Sequence, residues 1–168
     1  MEHLTIYRNE NSYSAFPDIE RLHNGELVVI FREAKRRNEI THLDSTSQAS
    51  LVRSTDGGQS WSPATAVAID HPDIGIQDPS IVQLGDGTLL ANFFRWKVRR
   101  EEPYAYGADG IGVYVVRSED NGHTWSKDFT WVGLPPGIGE WLSTTDAILE
   151  LPNGELLIPV YENNVAAG

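Results

Sequence analysis

Two copies of one short pattern, starting at residues 54 and 118, constrain this chain more than any other feature. Ser54-Thr55-Asp56-Gly57-Gly58-Gln59-Ser60-Trp61 recurs as Ser118-Glu119-Asp120-Asn121-Gly122-His123-Thr124-Trp125, so Ser-x-Asp-x-Gly-x-(Ser/Thr)-Trp appears twice. Self-similarity at a long fixed period marks an array of supersecondary units. A second pattern interleaves with the first. Residues 22–33, 84–95 and 151–162 each place Asn24-Gly25, Asp86-Gly87 or Asn153-Gly154 before an apolar, β-rich run. Asn-Gly and Asp-Gly accept the positive φ of tight hairpin turns, so each run is the second strand of a hairpin.

A shorter strand candidate precedes each turn, at residues 18–22, 79–84 and 146–151, and two further strands flank each Ser-x-Asp turn. Four antiparallel strands per unit, with units 62 and 67 residues apart and no 3.6-residue apolar stripe, predict an all-β chain built as a β-propeller. WD40 units are shorter, at about 40–45 residues, and are set aside. The predicted blades span residues 14–70 and 76–135, with half of a third over 143–162. About two and a half four-stranded blades fall short of the 4 to 8 that close a ring. The chain is then either part of a longer propeller or one of several copies that complete a ring as a homo-oligomer.

Charge narrows the partners. The chain carries 24 acidic against 13 basic residues, a formal net charge of −11, which disfavours nucleic acid and anionic membranes. With no cysteine there is neither disulfide framework nor thiolate chemistry. The five histidines (His3, His23, His42, His71 and His123) lack ligand spacing, so no metal and no cofactor is expected. The start has no basic region followed by an apolar one, and no apolar run approaches the ~20 residues of a membrane span, which reads as a soluble, cytoplasmic chain.

In a propeller blade the hairpin turns and the Ser-x-Asp turns share one face, while the starts of the inner strands and the loops after the second strands share the other. Those loops hold Arg32, Lys35, Arg36, Arg37, Arg95, Lys97, Arg99 and Arg100, eight of the thirteen basic residues. They either solvate the loops and pair with Glu33, Glu39, Glu101 and Glu102, or form a rim whose guanidiniums hold an anion bidentately. Arg32 and Arg95 are read as occupying the same place at the end of the second strand. Asp18, Asp78 and Asp146 fall within about one residue of each other at the starts of the inner strands, where a central funnel opens. They are either general acid/base groups and sugar ligands or turn residues that cap the backbone. Trp96, Tyr104, Tyr106 and Trp141 near the same loops either stack on sugar faces or pack.

Ser54, Asp56, Gly58, Trp61 and Ser118, Asp120, Gly122, Trp125 resemble the Asp boxes, or bacterial neuraminidase repeats, of sialidase-type propellers. The resemblance implies six blades in the complete fold and a structural role for the boxes, opposite the active face. It implies an exo-glycoside hydrolase segment acting on a terminal, acidic sugar, with a carbohydrate as ligand. Such enzymes hold the sugar carboxylate with three arginines and use an Asp as acid/base and a Tyr assisted by a Glu as nucleophile. Asp44, ten residues before Ser54, takes the acid/base position, and Asp146 the place of the Glu partner. Arg32, Arg36, Arg37, Asp78 and Arg95 become substrate contacts. Pro17 matches the proline of the family's Arg-x-Pro motif, but its arginine position is Ala15. The nucleophile and remaining arginines would follow residue 168, so the isolated chain is expected to be inactive. The rival reading is a non-catalytic carbohydrate-binding or interaction propeller, possibly assembled from partial rings.

Overall fold

The computed structural model describes residues 3–38, 44–70, 72–98, 108–133 and 142–162. Arg99, Arg100, Glu39, Glu101, Glu102, Tyr104, Tyr106, Trp141, His42 and His71 lie outside the described residues. Among the described residues there is no helix. The first sheet has the order β1-β2-β3-β4, from Ser12–Arg21, Leu27–Lys35, Gln48–Ser54 and Thr65–Ala68. The second has the order β5-β6-β7-β8, from Ile74–Gln83, Leu89–Val98, Ala108–Ser118 and Thr130–Trp131. All pairings are antiparallel. The third unit is a hairpin in two short pieces: β10 (Leu149–Glu150) pairs with β11 (Leu156–Leu157), and β9 (Leu142–Ser143) with β12 (Tyr161–Glu162).

Gly25, Gly87 and Gly154 take φ of 89°, 91° and 83°, the conformation for which a hairpin turn selects glycine. The inner strands are longer than the runs that preceded the turns in sequence. Each full one begins before its proline and crosses it through a bulge, between Ala15 and Asp18 in β1 and between Gln77 and Ser80 in β5. A proline cannot donate to the ladder, so the strand continues only by skipping a pairing there.

The main core lies between the two full sheets. Val28 and Ile30 of β2 and Leu89, Ala91 and Phe93 of β6 meet with Leu51, Ile76, Ile81 and Val116. The alternate residues face outward: Val29 and Phe31 pack under Ile6, Tyr7 and Trp61, while Phe94 and Trp96 pack toward Leu142 and Ile158 of the third unit. Trp96 is thus a packing residue, edge-on to Phe94 at 5.2 Å. Polar groups stitch neighbouring units. The Asp18 carboxylate accepts the Ile81 amide at 2.9 Å, Gln83 Oε1 accepts the His23 amide at 2.7 Å, and Glu150 accepts the Gly85 amide at 2.7 Å.

Register corrects the pairing of Arg32 with Arg95. Arg32 lies opposite Ala49, five residues before Ser54, and the matching residue of the second sheet is Phe94, opposite Val113, five before Ser118. Arg95 is one step further, and one step along a strand turns a side chain to the other face. Both arginines consequently point into the gap between the two sheets from opposite walls, rather than standing side by side on a rim.

Candidate functional site

Three successive strand starts converge on one cavity of about 350 Å³, lined by Phe16, Pro17, Asp18, Asp78, Pro79, Ser80, Thr145, Asp146 and Ala147. Counted back from the hairpin glycines, Phe16, Asp78 and Thr145 are equivalent positions. Phe16 and Asp78 precede prolines yet hold φ of 52° and 44°. A residue before proline ordinarily takes extended backbone, and left-handed backbone away from glycine costs on the order of 1–3 kcal/mol. The bulge therefore aims these two side chains at the cavity against local preference.

The three aspartates differ in how they are held. Asp18 is spent on structure, accepting the amides of Ile19 and Ile81, both at 2.9 Å. Asp146 is exposed, with Thr145 Oγ1 at 3.4 Å from its Oδ2, and its carbonyl accepts Asn92 Nδ2 at 2.9 Å. Asp78 is 7% exposed, and its Oδ1 has no hydrogen-bond partner. Burial pushes the Asp78 carboxyl up to about 6, against the pull of the Arg32 guanidinium.

Arg32 stands behind Asp78 and is 1% exposed. Its Nε donates to Ser47 Oγ at 3.1 Å, its guanidinium lies 5.9 Å from the Tyr13 ring centre, and Nη1 and Nη2 are without partners. Burial lowers its pKa, while Asp44, Tyr13 and Asp78 work to raise it. The exposed-rim expectation fails for Arg32 because the second strand buries it between the sheets. Arg95 is likewise engaged: it pairs with Asp70 and stacks at 4.4 Å over Tyr114 and 5.3 Å over Phe129. Arg36 lines a separate cavity of about 270 Å³ with Tyr7, Arg8, Asn9 and Tyr13.

Asp44 is 8% exposed and fully occupied. Its oxygens accept Arg37 Nε at 2.6 Å and Nη2 at 3.3 Å, the Thr46 amide at 2.8 Å and Thr46 Oγ1 at 2.7 Å. Burial pushes this carboxyl up, but the bonds from Arg37 and Thr46 outweigh it and hold the group below its ordinary range. The loop is docked on β5: Ser47 O accepts the Ile76 amide at 3.1 Å, and a side chain at Gly75 would strike the Asp44 carbonyl. Asp44 does not line the cavity that holds Asp78 and Asp146.

The two Ser-x-Asp turns lie at the far ends of β3 and β7 from these residues and match almost bond for bond. Ser54 and Ser118 each donate to the aspartate two residues on at 2.8 Å, and each accepts the amide of Gly58 or Gly122 at 2.8 Å. Asp56 and Asp120 then accept Ser60 and Thr124 through both amide and hydroxyl. These bonds hold both carboxyls well below the usual carboxylate range. Trp61 Nε1 donates to Gly58 O at 3.1 Å, and Trp125 packs against the main core.

Sequence reasoning missed Phe16, Thr145, Ser47, Gly75 and Asn92. Phe16-Pro17 and Asp78-Pro79 share a residue-proline step at the same offset before the turn, a signal for the first of these. Nothing local marks Gly75, whose role depends on a loop 31 residues earlier.

No family model and no curated protein matches the chain. Solved structures do. A crystal structure of a protein of unknown function from Dyadobacter fermentans matches with TM-score 0.77 and 30% identity over 90% of this chain and 47% of its own. The Hadza microbial sialidase Hz136 matches with TM-score 0.62 and 21% identity over 88% of this chain and 32% of its own. The NanB sialidase of Streptococcus pneumoniae matches with TM-score 0.68 and 12% identity over 94% and 43%. The chain thus has the sialidase-like β-propeller fold and spans about half the length, or less, of these structures.

Proposed function

We propose that this chain is the funnel-bearing part of a sialidase-like exo-glycosidase that acts on a terminal, acidic sugar. The convergence of three strand starts on one cavity carries the reading. That cavity joins carboxyl groups at Asp78 and Asp146 to an aromatic edge at Phe16 and the flat faces of Pro17 and Pro79, which suits a sugar's mix of hydroxyls and apolar C–H faces. Asp146 accepts from sugar hydroxyls. Asp44 and Asp78 are the two candidates for proton work, and Arg36, exposed in a separate cavity with Tyr7 and Tyr13, is the guanidinium offered to an anionic substituent.

Titrating the ¹⁵N-labelled chain with 3′-sialyllactose and with lactose tests this. Shifts at the amides of Phe16, Ser80, Thr145 and Asp146, lost in Asp146→Ala, are expected, with sialyllactose the tighter. Shifts confined to other surfaces would refute the funnel as the sugar site.

A second reading, a non-catalytic carbohydrate-binding propeller, is favoured by Ala15 and by the inward commitment of Arg32 and Arg95, which leave the sugar carboxylate without those holders. In that case the same shifts appear and no aryl glycoside is turned over by the protein in any form that completes its ring. The exposed Leu149, Leu156, Leu157 and Tyr161 of the third unit are proposed to be covered when the ring is completed, by a second copy if the chain assembles alone. Sedimentation of the chain distinguishes an assembly from a monomer.

A further inference from the structure

Asp44 and Asp78, the two carboxyl groups open to proton work, are built in opposite ways. Asp44 accepts four hydrogen bonds, two from the Arg37 guanidinium, and sits in the loop docked on β5. Every bond it makes favours the anion, and a proton placed on it would have to displace Arg37 or Thr46. Asp78 has the reverse surroundings. It lines the cavity, is more than nine-tenths buried, and offers an oxygen that meets no donor. The nearest cation in strand order, Arg32, spends its Nε on Ser47 and leaves both terminal nitrogens unbonded, so no ion pair claims the Asp78 carboxyl.

A buried carboxylate with one oxygen left unbonded is costly, whereas the neutral acid needs only an acceptor for its O–H. A sugar supplies ring, hydroxyl and glycosidic oxygens as acceptors. Resting on the proposed carbohydrate funnel, we infer that Asp78, held as the neutral acid, donates its proton in a hydrogen bond to an oxygen of the bound sugar, while Asp44 is a positioning residue that fixes the 44–47 loop against β5.

The backbone supports the assignment. Asp78 is held at φ 44° before Pro79, so the bulge directs its Cα–Cβ bond toward the cavity. The charged groups that face it are Arg32 of β2, and Asp18 of β1 and Asp146 of the third unit across the cavity; Tyr13 and Asp44 act on Arg32 behind it. None of the described histidines lines the cavity. Burial pushes the Asp78 carboxyl up to about 6, so its protonation changes between about pH 5 and 7.

If only the acid form binds, affinity scales with the protonated fraction, which falls about tenfold between pH 5 and pH 7 for a midpoint of about 6. The test has two arms on the full chain. Carboxyl ¹³C NMR of the wild type follows Asp78 and Asp44 directly and needs no variant. Sialyllactose and lactose titrations at pH 5, 6 and 7 follow binding in wild type, Asp78→Asn and Asp44→Asn. The inference expects Asp78 to titrate between pH 5 and 7, Asp44 to stay ionised across that range, and sugar binding to weaken about tenfold from pH 5 to 7. Asp78→Asn should abolish that slope, and Asp44→Asn should keep it. An Asp78 midpoint near 4, a slope that survives Asp78→Asn, or one that Asp44→Asn removes would overturn the inference while leaving the sugar site standing. If neither sugar moves the funnel amides, the carbohydrate reading falls with the hydrogen bond to it, and the carboxyl titration alone decides whether Asp78 is held as the acid.

Discussion

Replacing Gly75 by alanine tests whether the loop carrying Asp44 is fixed by β5. Gly75 has ordinary negative φ, so alanine's backbone is tolerated and any penalty comes from space. An alanine Cβ there would sit inside the contact distance of the Asp44 carbonyl oxygen, 3.3 Å from its carbonyl carbon and 3.3 Å from Ser47 Oγ. The atoms it meets first are backbone, which cannot rotate aside. Relieving the overlap requires moving the loop by roughly an ångström to restore an ordinary C···O approach of ~3.3–3.6 Å. Overpacking of this kind costs about 1–3 kcal/mol, less the ~0.4–1 kcal/mol that alanine removes from the unfolded chain's entropy. A net loss of about 1 kcal/mol lowers Tm by roughly 2–4 °C in a domain of this size. Gly133→Ala is the matched control, because a Cβ at Gly133 meets nothing within 4 Å, and its Tm should hold or rise slightly. Thermal unfolding of the three proteins measures the difference, and exchange at the Ile76 amide, bonded to Ser47 O, should quicken in Gly75→Ala. If Gly75→Ala melts at or above Gly133→Ala, the loop is not docked as described.

Asp78→Asn should stabilise the protein at neutral pH. A carboxyl raised to about 6 when folded contributes stability that is whole below its unfolded value of about 4 and is lost as pH rises through 6, so wild type should weaken across that window by roughly 2–3 kcal/mol and the Asn variant should not; urea unfolding at pH 4.5 and 7.5 reads this. Arg53 and Arg117 occupy equivalent places yet should respond unequally. Arg53, 10% exposed, pairs with Glu26 and donates to Asn121 O, so Arg53→Met should cost about 1–3 kcal/mol, whereas Arg117, 55% exposed beside Glu119, should cost under ~1 kcal/mol, both by urea unfolding. Asp56→Asn should lower the urea midpoint at pH 7 and lose that difference as pH falls below about 4, because a depressed carboxyl contributes only while it is ionised. An unchanged pH profile would sink the bonding account of that turn.

The architecture was legible because its signals are local and repeated. Asn24-Gly25, Asp86-Gly87 and Asn153-Gly154 fix where hairpins turn, and the paired Ser-x-Asp turns fix where the third strand ends, so unit length and strand order followed from counting. Direction was less legible. The dipeptide Phe-Arg occurs in both second strands, and matching Arg32 to Arg95 by that likeness slips the register by one, enough to exchange the two faces. Burial of Arg32 and the pairing of Asp44 with Arg37 depend on how a loop folds back onto the neighbouring sheet, which no single unit's sequence encodes. The aspartates were legible as a group at the strand starts but not as individuals. Their offsets from the hairpin glycine differ, 7 for Asp18, 9 for Asp78 and 8 for Asp146, and each offset gives the carboxyl a different neighbour.

That difference explains how one repeated backbone yields several chemistries. At the offset of nine the strand starts present Phe16, Asp78 and Thr145 in turn to the same cavity: an aromatic face, an acid and a hydroxyl. At the offset of seven, Asp18 and Ser80 reach sideways instead, to the Ile81 amide and the Thr145 carbonyl of the next unit. Stitching and presentation thus alternate along the strand, two residues apart, and the intervening Pro17 and Pro79 keep the two jobs from exchanging. A carboxylate at the stitching position gains a backbone amide, as Asp18 does from Ile81. The same group at the presenting position loses water and keeps one oxygen unbonded, and burial outweighs the pull of Arg32 and Gln77, so its proton is retained. Moving the acid by two residues, as in Asp78→Ser with Ser80→Asp, would therefore keep the net charge and remove the titration near 6, which makes position in the bulge, rather than the presence of an acidic residue, the origin of the site's chemistry.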